Sequence, residues 1–152
     1  MREEVIIDTS CLIILKRIGR LEILKEIYER VIIPVGVKEE FGEQLPEWIE
    51  VEGVKDEGQV KVMEMYVGRG EAEVLVLGLE RGSSLVVIDD RKGRRLARGL
   101  GLRLSGTIGV IIRAKEAGEI SSVKGIIEEL EGAGFRLSES LKRKALELAG
   151  EI

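Results

Sequence analysis

The sequence of 152 residues has no histidine and a single cysteine, Cys11. The absence of histidine excludes Ser-His-Asp and Cys-His catalysis, and it excludes any metal site with imidazole ligands. One cysteine supports neither an internal disulfide nor a cysteine-cluster zinc site. Any catalysis must therefore rest on carboxylates, hydroxyls, lysine, arginine or tyrosine, and carboxylates suit hard cations such as Mg²⁺.

Aromatic residues and long apolar runs are also scarce. Aromatic side chains make up 3% of the chain, and the sequence shows no evident platform for stacking unpaired bases. No apolar run approaches the roughly 18 residues of a transmembrane helix, and the first residues, MREEVIID, contain no apolar signal segment. We therefore expect a cytoplasmic protein that does not enter a membrane.

The composition indicates a folded protein with a core. Apolar residues make up 44%, and 152 residues correspond to one domain, which we expect to cover residues 1–152. The net charge of −4 disfavours a protein that coats polyanions in general, but it is compatible with a local basic patch. The charged fraction of 34% and the lack of asparagine are typical of thermophile proteins.

Apolar runs and helical patterns alternate along the chain. The runs predict buried strands at residues 5–7, 31–33, 85–88 and 102–104, with a short extended piece near Trp48. Helices are predicted at residues 11–18 (with Ser10 as N-cap), 21–28, 35–41, 57–67, 71–81, 91–100, 106–117 and 123–131, and from Ser138 or Ser140 to 148. Strands that alternate with helices predict an α/β fold with a parallel sheet.

Four acidic residues stand where chemistry is expected. Asp8 and Asp89 follow two of the clearest strands, and the carboxyl ends of parallel strands meet at one edge of a sheet. Glu40 and Glu71 lie in register with apolar helical residues, and neither has a basic residue four positions away. Each also has a simple structural explanation, because a strand-end aspartate often caps the next helix and a first-turn glutamate suits the helix dipole.

A cluster of these carboxylates would need compensation. Two carboxylates about 4 Å apart repel each other by roughly 4 kcal/mol at an effective dielectric of about 20. Protons, basic partners or a cation must offset that repulsion, and Mg²⁺ or Mn²⁺ is the simplest solution. Such an ion can orient a water for in-line attack on a phosphodiester.

Five short motifs follow one another along the chain. They are Asp8-Thr9-Ser10 after the first strand, Ile33-Pro34 with Val37-Lys38-Glu39-Glu40, Gly70-Glu71-Ala72-Glu73, Val86-Val87-Ile88-Asp89-Asp90, and Gly106-Thr107-Ile108-Gly109. In this order they resemble the PIN domain family, in the GEAE form of one prokaryotic subgroup, and they are similar to VapC-type toxin ribonucleases. The resemblance covers the whole chain.

The resemblance implies a three-layer α/β/α sandwich with a central parallel sheet. It also implies a metal-dependent endoribonuclease that hydrolyses phosphodiesters with Mg²⁺ or Mn²⁺. By position it assigns Asp8, Glu40, Glu71 and Asp89 as catalytic and metal-binding acids and either Thr9 or Ser10 as the supporting hydroxyl. Asp90, as a substitute ligand, and Thr107 are further supporting candidates. Of the supporting residues, Asp90 and Thr107 also fit simple helix caps.

The resemblance further implies partners, and the sequence departs from the family pattern at two positions. Many members are toxins held by a small antitoxin, so an antitoxin is an implied partner beside RNA, and we expect a homodimer or higher homo-oligomer. Glu71 replaces an aspartate that is usual in the toxins. Val87 stands where the family usually has a threonine.

A basic run follows the fourth motif. The arginines Arg91, Arg94, Arg95 and Arg98 fall near one stripe of the predicted helix. This stripe indicates either a row of contacts to RNA phosphates or a solvated helix face.

Two functional hypotheses therefore stay open. The first is a metal-dependent endoribonuclease. The second is a catalytically weak or inactive PIN-like module that binds RNA or protein, which Val87 and the acidic balance motivate. A phosphotransferase with Asp8 as covalent nucleophile is disfavoured, because such enzymes usually have a second aspartate where this chain has Ser10.

Overall fold

The computed structural model describes residues 3–152, which form a central sheet flanked by helices. The strands are β1 (Glu4–Ile7), β2 (Arg30–Pro34), β3 (Ile49–Glu52), β4 (Leu85–Val87) and β5 (Arg103–Ser105). The helices are α1 (Thr9–Arg17), α2 (Glu22–Ile27), α3 (Val35–Phe41), α4 (Glu57–Met63), α5 (Arg69–Arg81), α6 (Arg91–Gly99), α7 (Thr107–Glu116), α8 (Val123–Gly132) and α9 (Glu139–Leu148). The predicted α/β/α sandwich with a parallel sheet is confirmed.

The five strands are parallel and lie in the order β3-β2-β1-β4-β5. The chain moves from β1 outward to β3, then returns to β4 on the other side of β1 and continues to β5. The strand order therefore reverses between β1 and β4, which is where open parallel sheets bind ligands. Asp8 and Asp89 follow these two strands, and the Asp8 N–H donates to the carbonyl of Val87 (3.1 Å).

Helices cover both faces of the sheet, which is why the central strands are almost continuously apolar. Val5, Ile6 and Ile7 of β1 are fully buried. Helix α5 packs on β1, β2 and β4, α7 packs on β5 and α2, and α3 contacts both α1 and α5. Among residues 3–152 there is no helix with the length and apolar character needed to cross a membrane.

Some element boundaries differ from the sequence prediction for local reasons. The N-cap of α1 is Asp8 and not Ser10, because the Asp8 carboxylate accepts the Cys11 N–H (2.9 Å). Helix α5 begins at Arg69, two residues earlier than predicted, because extended Gly68 serves as its N-cap. Helix α4 ends at Met63 and not at residue 67, and β3 is a full edge strand where only a short extended piece was predicted.

Candidate active site

Asp8 is a buried carboxylate at the end of β1. Its side chain is 2% exposed and accepts hydrogen bonds from the N–H groups of Cys11 (2.9 Å) and Asp89 (3.2 Å). Burial, together with the nearby Asp89 charge, raises the pKa of Asp8 to about 7, although the two N–H donors act in the opposite direction. Asp8 therefore changes its charge near neutral pH, as carboxyl groups at functional sites often do.

Asp89 is held by Thr107, the first residue of α7. The Thr107 N–H donates to Asp89 Oδ1 (2.8 Å), and the Thr107 hydroxyl donates to Oδ2 (2.5 Å). Val87, where the family resemblance predicts a hydroxyl, is fully buried in β4. The hydroxyl that contacts Asp89 in this chain therefore comes from α7 and not from the strand.

Glu40 lies on the exposed side of α3 and is fixed by two neighbours. The Thr9 hydroxyl donates to Glu40 Oε1 (2.5 Å). The carboxylate also lies against Gly70 of α5, where an added Cβ atom would come within 2.8 Å of Glu40 Cδ. Glycine at position 70 thus leaves the space that the Glu40 carboxylate occupies.

Glu71, the next residue of α5, has a carboxylate oxygen without a partner. Its Oε2 atom is buried and makes no hydrogen bond. Burial raises the pKa of Glu71 to about 7, and the charges of Asp90, Glu40 and Asp89 add to that shift. Gly93 of α6 packs against Glu71 Oε2, and an added Cβ atom there would collide with it. A buried, unpartnered carboxylate oxygen is costly unless it gains a proton or a cation.

The structure brings the four predicted acids, hereafter the acidic cluster (Asp8, Glu40, Glu71 and Asp89), to the same end of the sheet. Charge interactions link Asp8 to Asp89 and Glu71, and they link Glu71 to Glu40. Within residues 3–152, none of these side chains forms an ion pair with a lysine or arginine. The part of the chain that the structure describes contains no group of three metal-ligating side chains already arranged to hold an ion. The donor set nevertheless suits a hard divalent cation, because it offers only oxygen atoms and includes the unpartnered Oε2 of Glu71.

The predicted supporting residues have different roles. Thr9 and Thr107 contact acids of the cluster, as described above. Asp90 is the N-cap of α6 and accepts the Gly93 N–H (3.1 Å), which agrees with its interpretation as a helix cap. Ser10 is exposed, and its side chain makes no hydrogen bond to any residue between 3 and 152.

The basic residues of α6 separate into two groups. Arg91, Arg95 and Arg98 are exposed, and none of them forms an ion pair with residues 3–152. Arg94 is half-buried instead, and its Nη1 donates to the carbonyl of Ile88 (2.8 Å). Arg94 therefore supports the end of β4 beside Asp89, a contact that the predicted stripe of four arginines did not anticipate.

Sequence reasoning missed Glu73, which is 3% exposed between α3 and α5. Its carboxylate accepts the Gly36 N–H (2.8 Å) and Arg69 Nε (2.8 Å), and an added Cβ atom at Gly36 would lie 3.0 Å from Glu73 Cδ. Helices α3 and α5 are thus joined by two reciprocal Glu–Gly contacts, Glu73 with Gly36 and Glu40 with Gly70. A charged residue inside the buried run 72–78 was the signal that could have identified it.

One comparison with known proteins identifies the family of the chain. The family model described as PIN domain matches residues 4–151. No curated protein and no solved structure gives a significant match. Because the family model spans nearly the whole sequence, the chain belongs to the PIN domain family.

Proposed function

We propose that this protein is a divalent-metal-dependent endoribonuclease with the acidic cluster as its active site. The observation that carries the proposal is the convergence of four carboxylates without a basic partner among residues 3–152, of which Glu71 Oε2 is buried and makes no hydrogen bond. The raised pKa values of Asp8 and Glu71 agree with this arrangement. Burial of such carboxylates costs stability, and a bound cation would offset that cost. PIN domains are in general nucleases, which supports the same reaction class.

Each acid of the cluster has a defined part in this proposal. A bound Mg²⁺ or Mn²⁺ ion would supply an activated water and charge stabilisation for phosphodiester hydrolysis. Asp8, Asp89, Glu40 and Glu71 would hold the ion. Backbone N–H groups orient Asp8, while Thr107 and Thr9 orient Asp89 and Glu40. In the metal-free protein the pKa values of Asp8 and Glu71 are raised to about 7, so binding of the ion at neutral pH should release protons from these two carboxyl groups.

The distribution of positive charge supports a polyanionic substrate. At the amino ends of the strands, Arg30 and Arg81 bind Glu4 and neighbouring glutamates at 2.6–3.3 Å. At the carboxyl ends, Arg91 in the first turn of α6 is exposed and has no such partner among residues 3–152; Arg95 and Arg98, farther along the same helix, are also exposed without an ion pair. Unpaired arginines beside an acidic cluster can bind phosphates of a nucleic acid.

The substitution Asp8→Asn tests the proposal. We expect the wild-type protein to cleave RNA oligonucleotides with Mn²⁺ or Mg²⁺, and Asp8→Asn to lose at least about 100-fold in rate, a loss typical of removing one electrostatic contact from an active site. Asp56→Asn is the matched control, because Asp56 is an exposed N-cap of α4 and asparagine also caps helices. Isothermal calorimetry with Mn²⁺ should show binding by wild type and Asp56→Asn and weakened binding by Asp8→Asn.

Equal cleavage by Asp8→Asn and wild type would contradict the assignment of Asp8. RNA binding by the wild type without metal binding or turnover would instead favour the second hypothesis, a PIN-like RNA- or protein-binding module. An antitoxin partner and a homo-oligomer remain predictions, and light scattering of the purified chain tests the second of these.

A further inference from the structure

We propose that a cleft beside the acidic cluster binds one nucleobase of an unpaired RNA strand, with the ring of Tyr66 as the stacking surface. This inference rests on the proposed nuclease function. The Tyr66 cleft lies between the segment that joins α4 to α5 and the first turn of α6, and its volume is about 600 Å³. That volume is within the roughly 300–1,000 Å³ typical of small-ligand sites.

The apolar wall of the Tyr66 cleft is unusually exposed for this protein. Tyr66 is 56% exposed and Met65 is 76% exposed, and both line the cleft. The Tyr66 hydroxyl makes no hydrogen bond to any residue between 3 and 152. The low aromatic content of the sequence did not predict a stacking surface, but an accessible ring of this kind is one, because every base has an aromatic face.

The α6 side of the cleft contributes two cations, while three acids, Glu64, Glu71 and Asp90, also line the cleft. Arg91 and Lys92 line the cleft from the first turn of α6, and neither forms an ion pair within the part of the chain that the structure describes. These two cations can contact the phosphates on either side of a base that stacks on Tyr66. An apolar peptide would leave both cations unpaired, whereas an RNA strand provides partners for the ring and for the charges.

The cleft is continuous with the proposed active site. Glu71 of the acidic cluster lines it, and so does Asp90, the residue after Asp89. An RNA strand with one phosphate at the acidic cluster would therefore place an adjacent base in the cleft. Only an unpaired base can do so, since a base within a duplex is stacked between its neighbours.

Binding measured without metal tests the subsite independently of cleavage. We would titrate each protein variant into a fluorescein-labelled single-stranded RNA octamer in EDTA at low salt and follow fluorescence anisotropy. Tyr66→Ala should weaken binding by about 5- to 150-fold, the range that corresponds to roughly 1–3 kcal/mol per stacked base. Tyr66→Phe should restore binding to within about twofold of wild type, because phenylalanine keeps the aromatic face.

Val62→Ala is the matched control for lost apolar surface. Val62 is 54% exposed on the nearby helix α4 but does not line the cleft, so its truncation should leave the dissociation constant within about twofold of wild type. A duplex of the same sequence should bind with no dependence on Tyr66. If the nuclease is active, Tyr66→Ala should raise KM by a similar factor while kcat stays unchanged.

The outcomes separate this inference from the proposed function. Wild-type binding by Tyr66→Ala, equal weakening by Tyr66→Phe, or no binding of the octamer by the wild type would each overturn the subsite. Tyr66-dependent binding by a protein that does not cleave RNA with metal would support the subsite and contradict the nuclease. Metal-dependent cleavage with Tyr66-independent binding would contradict the subsite alone.

Discussion

Asp89 is positioned by two donors on a single residue, because both the N–H and the hydroxyl of Thr107 reach its carboxylate. Thr107→Val removes the hydroxyl, keeps the side-chain shape and leaves the N–H contact in place. We expect Mn²⁺ affinity to fall by about tenfold, a loss typical of removing one outer-shell contact to a metal ligand. Isothermal calorimetry on the variant and the wild type measures this difference.

Thr107→Ser is the control, because serine keeps a hydroxyl donor on the same backbone. It should bind Mn²⁺ within about threefold of wild type. Unchanged affinity in Thr107→Val would show that the backbone N–H alone positions Asp89, and the hydroxyl would then have only a packing role at its buried site, which is 4% exposed.

The sequence located the four acids and named Thr9 and Thr107 as supporting residues, but it did not show which acid each of them contacts. Asp8 and Asp89 end two apolar runs, and the rule that parallel strands share a carboxyl edge places both at one end of the sheet. The partner of Asp89 is Thr107, 18 positions later on another helix, and no local pattern encodes that distance. Both Asp8 and Ser10 were candidates for the N-cap of α1, because aspartate and serine cap helices equally well, and the structure shows that Asp8 is the cap.

The reciprocal Glu–Gly contacts fix α3 against α5 at the scale of whole helices. Glu73 is buried among apolar residues and accepts a hydrogen bond from the Gly36 N–H. The carboxylate of Glu40 packs against Gly70, next to the other residues of the acidic cluster. A sequence pattern predicts that a helix has an apolar face, but it does not predict which residue of a second helix will lie against a given glycine. The apolar face of α3 was enough to predict its boundaries, whereas the contact of Glu73 with Gly36 on another helix could not be predicted in this way.

The substitution Gly70→Ala tests whether this close approach positions Glu40. Alanine is a better helix former than glycine by about 1 kcal/mol, so the helix itself should not be destabilised. The added Cβ atom would lie 2.8 Å from Glu40 Cδ and would displace the carboxylate. We expect the melting temperature to be equal or higher and Mn²⁺ affinity to fall by about tenfold, the size of loss seen when the contacts that orient a metal ligand change.

Gly99→Ala provides the matched control for that experiment. Gly99 ends helix α6 and has no heavy atom within 4 Å of an added Cβ position, so alanine there should leave Mn²⁺ affinity unchanged. Retained wild-type affinity in Gly70→Ala, measured by calorimetry beside thermal melting, would show that Glu40 is free to move and is not positioned by Gly70.

The two edges of the sheet differ in how their charged side chains are paired. At the amino edge, arginines and glutamates offset one another, and the pKa of Glu4 and that of Glu50 are lowered by hydrogen bonds from Arg81 and Arg30. At the carboxyl edge, the pKa values of Asp8 and Glu71 are raised instead. The ion pairs of the amino edge should therefore make the free energy of unfolding rise with pH in the acidic range. The acids of the carboxyl edge should make it fall as pH rises toward neutral.

This difference predicts an unusual pH dependence for the metal-free protein. In the unfolded chain, the pKa is 3.8 for an aspartate and 4.5 for a glutamate. In the folded state, the pKa values of Asp8 and Glu71 are about 7. Between these limits the folded state binds more protons than the unfolded state, so the free energy of unfolding falls as pH rises from about 5 to 8. The chain contains no histidine, so no other side chain of ordinary pKa titrates in this range.

Thermal melts in EDTA at pH 5.5, 6.5, 7.5 and 8.0 measure this effect. We expect the melting temperature to decrease as pH rises across this series. Asp8→Asn should be more stable than wild type at pH 8, by at most about 4 kcal/mol for a shift of this size, and should show a flatter dependence. Saturating Mn²⁺ should stabilise the wild type at pH 8 more than Asp8→Asn, because the ion binds the charged carboxylates of the folded state and the variant has one fewer. A melting temperature that rises with pH in EDTA would contradict the raised pKa of Asp8 and, with it, the argument that the acidic cluster lacks compensating charge.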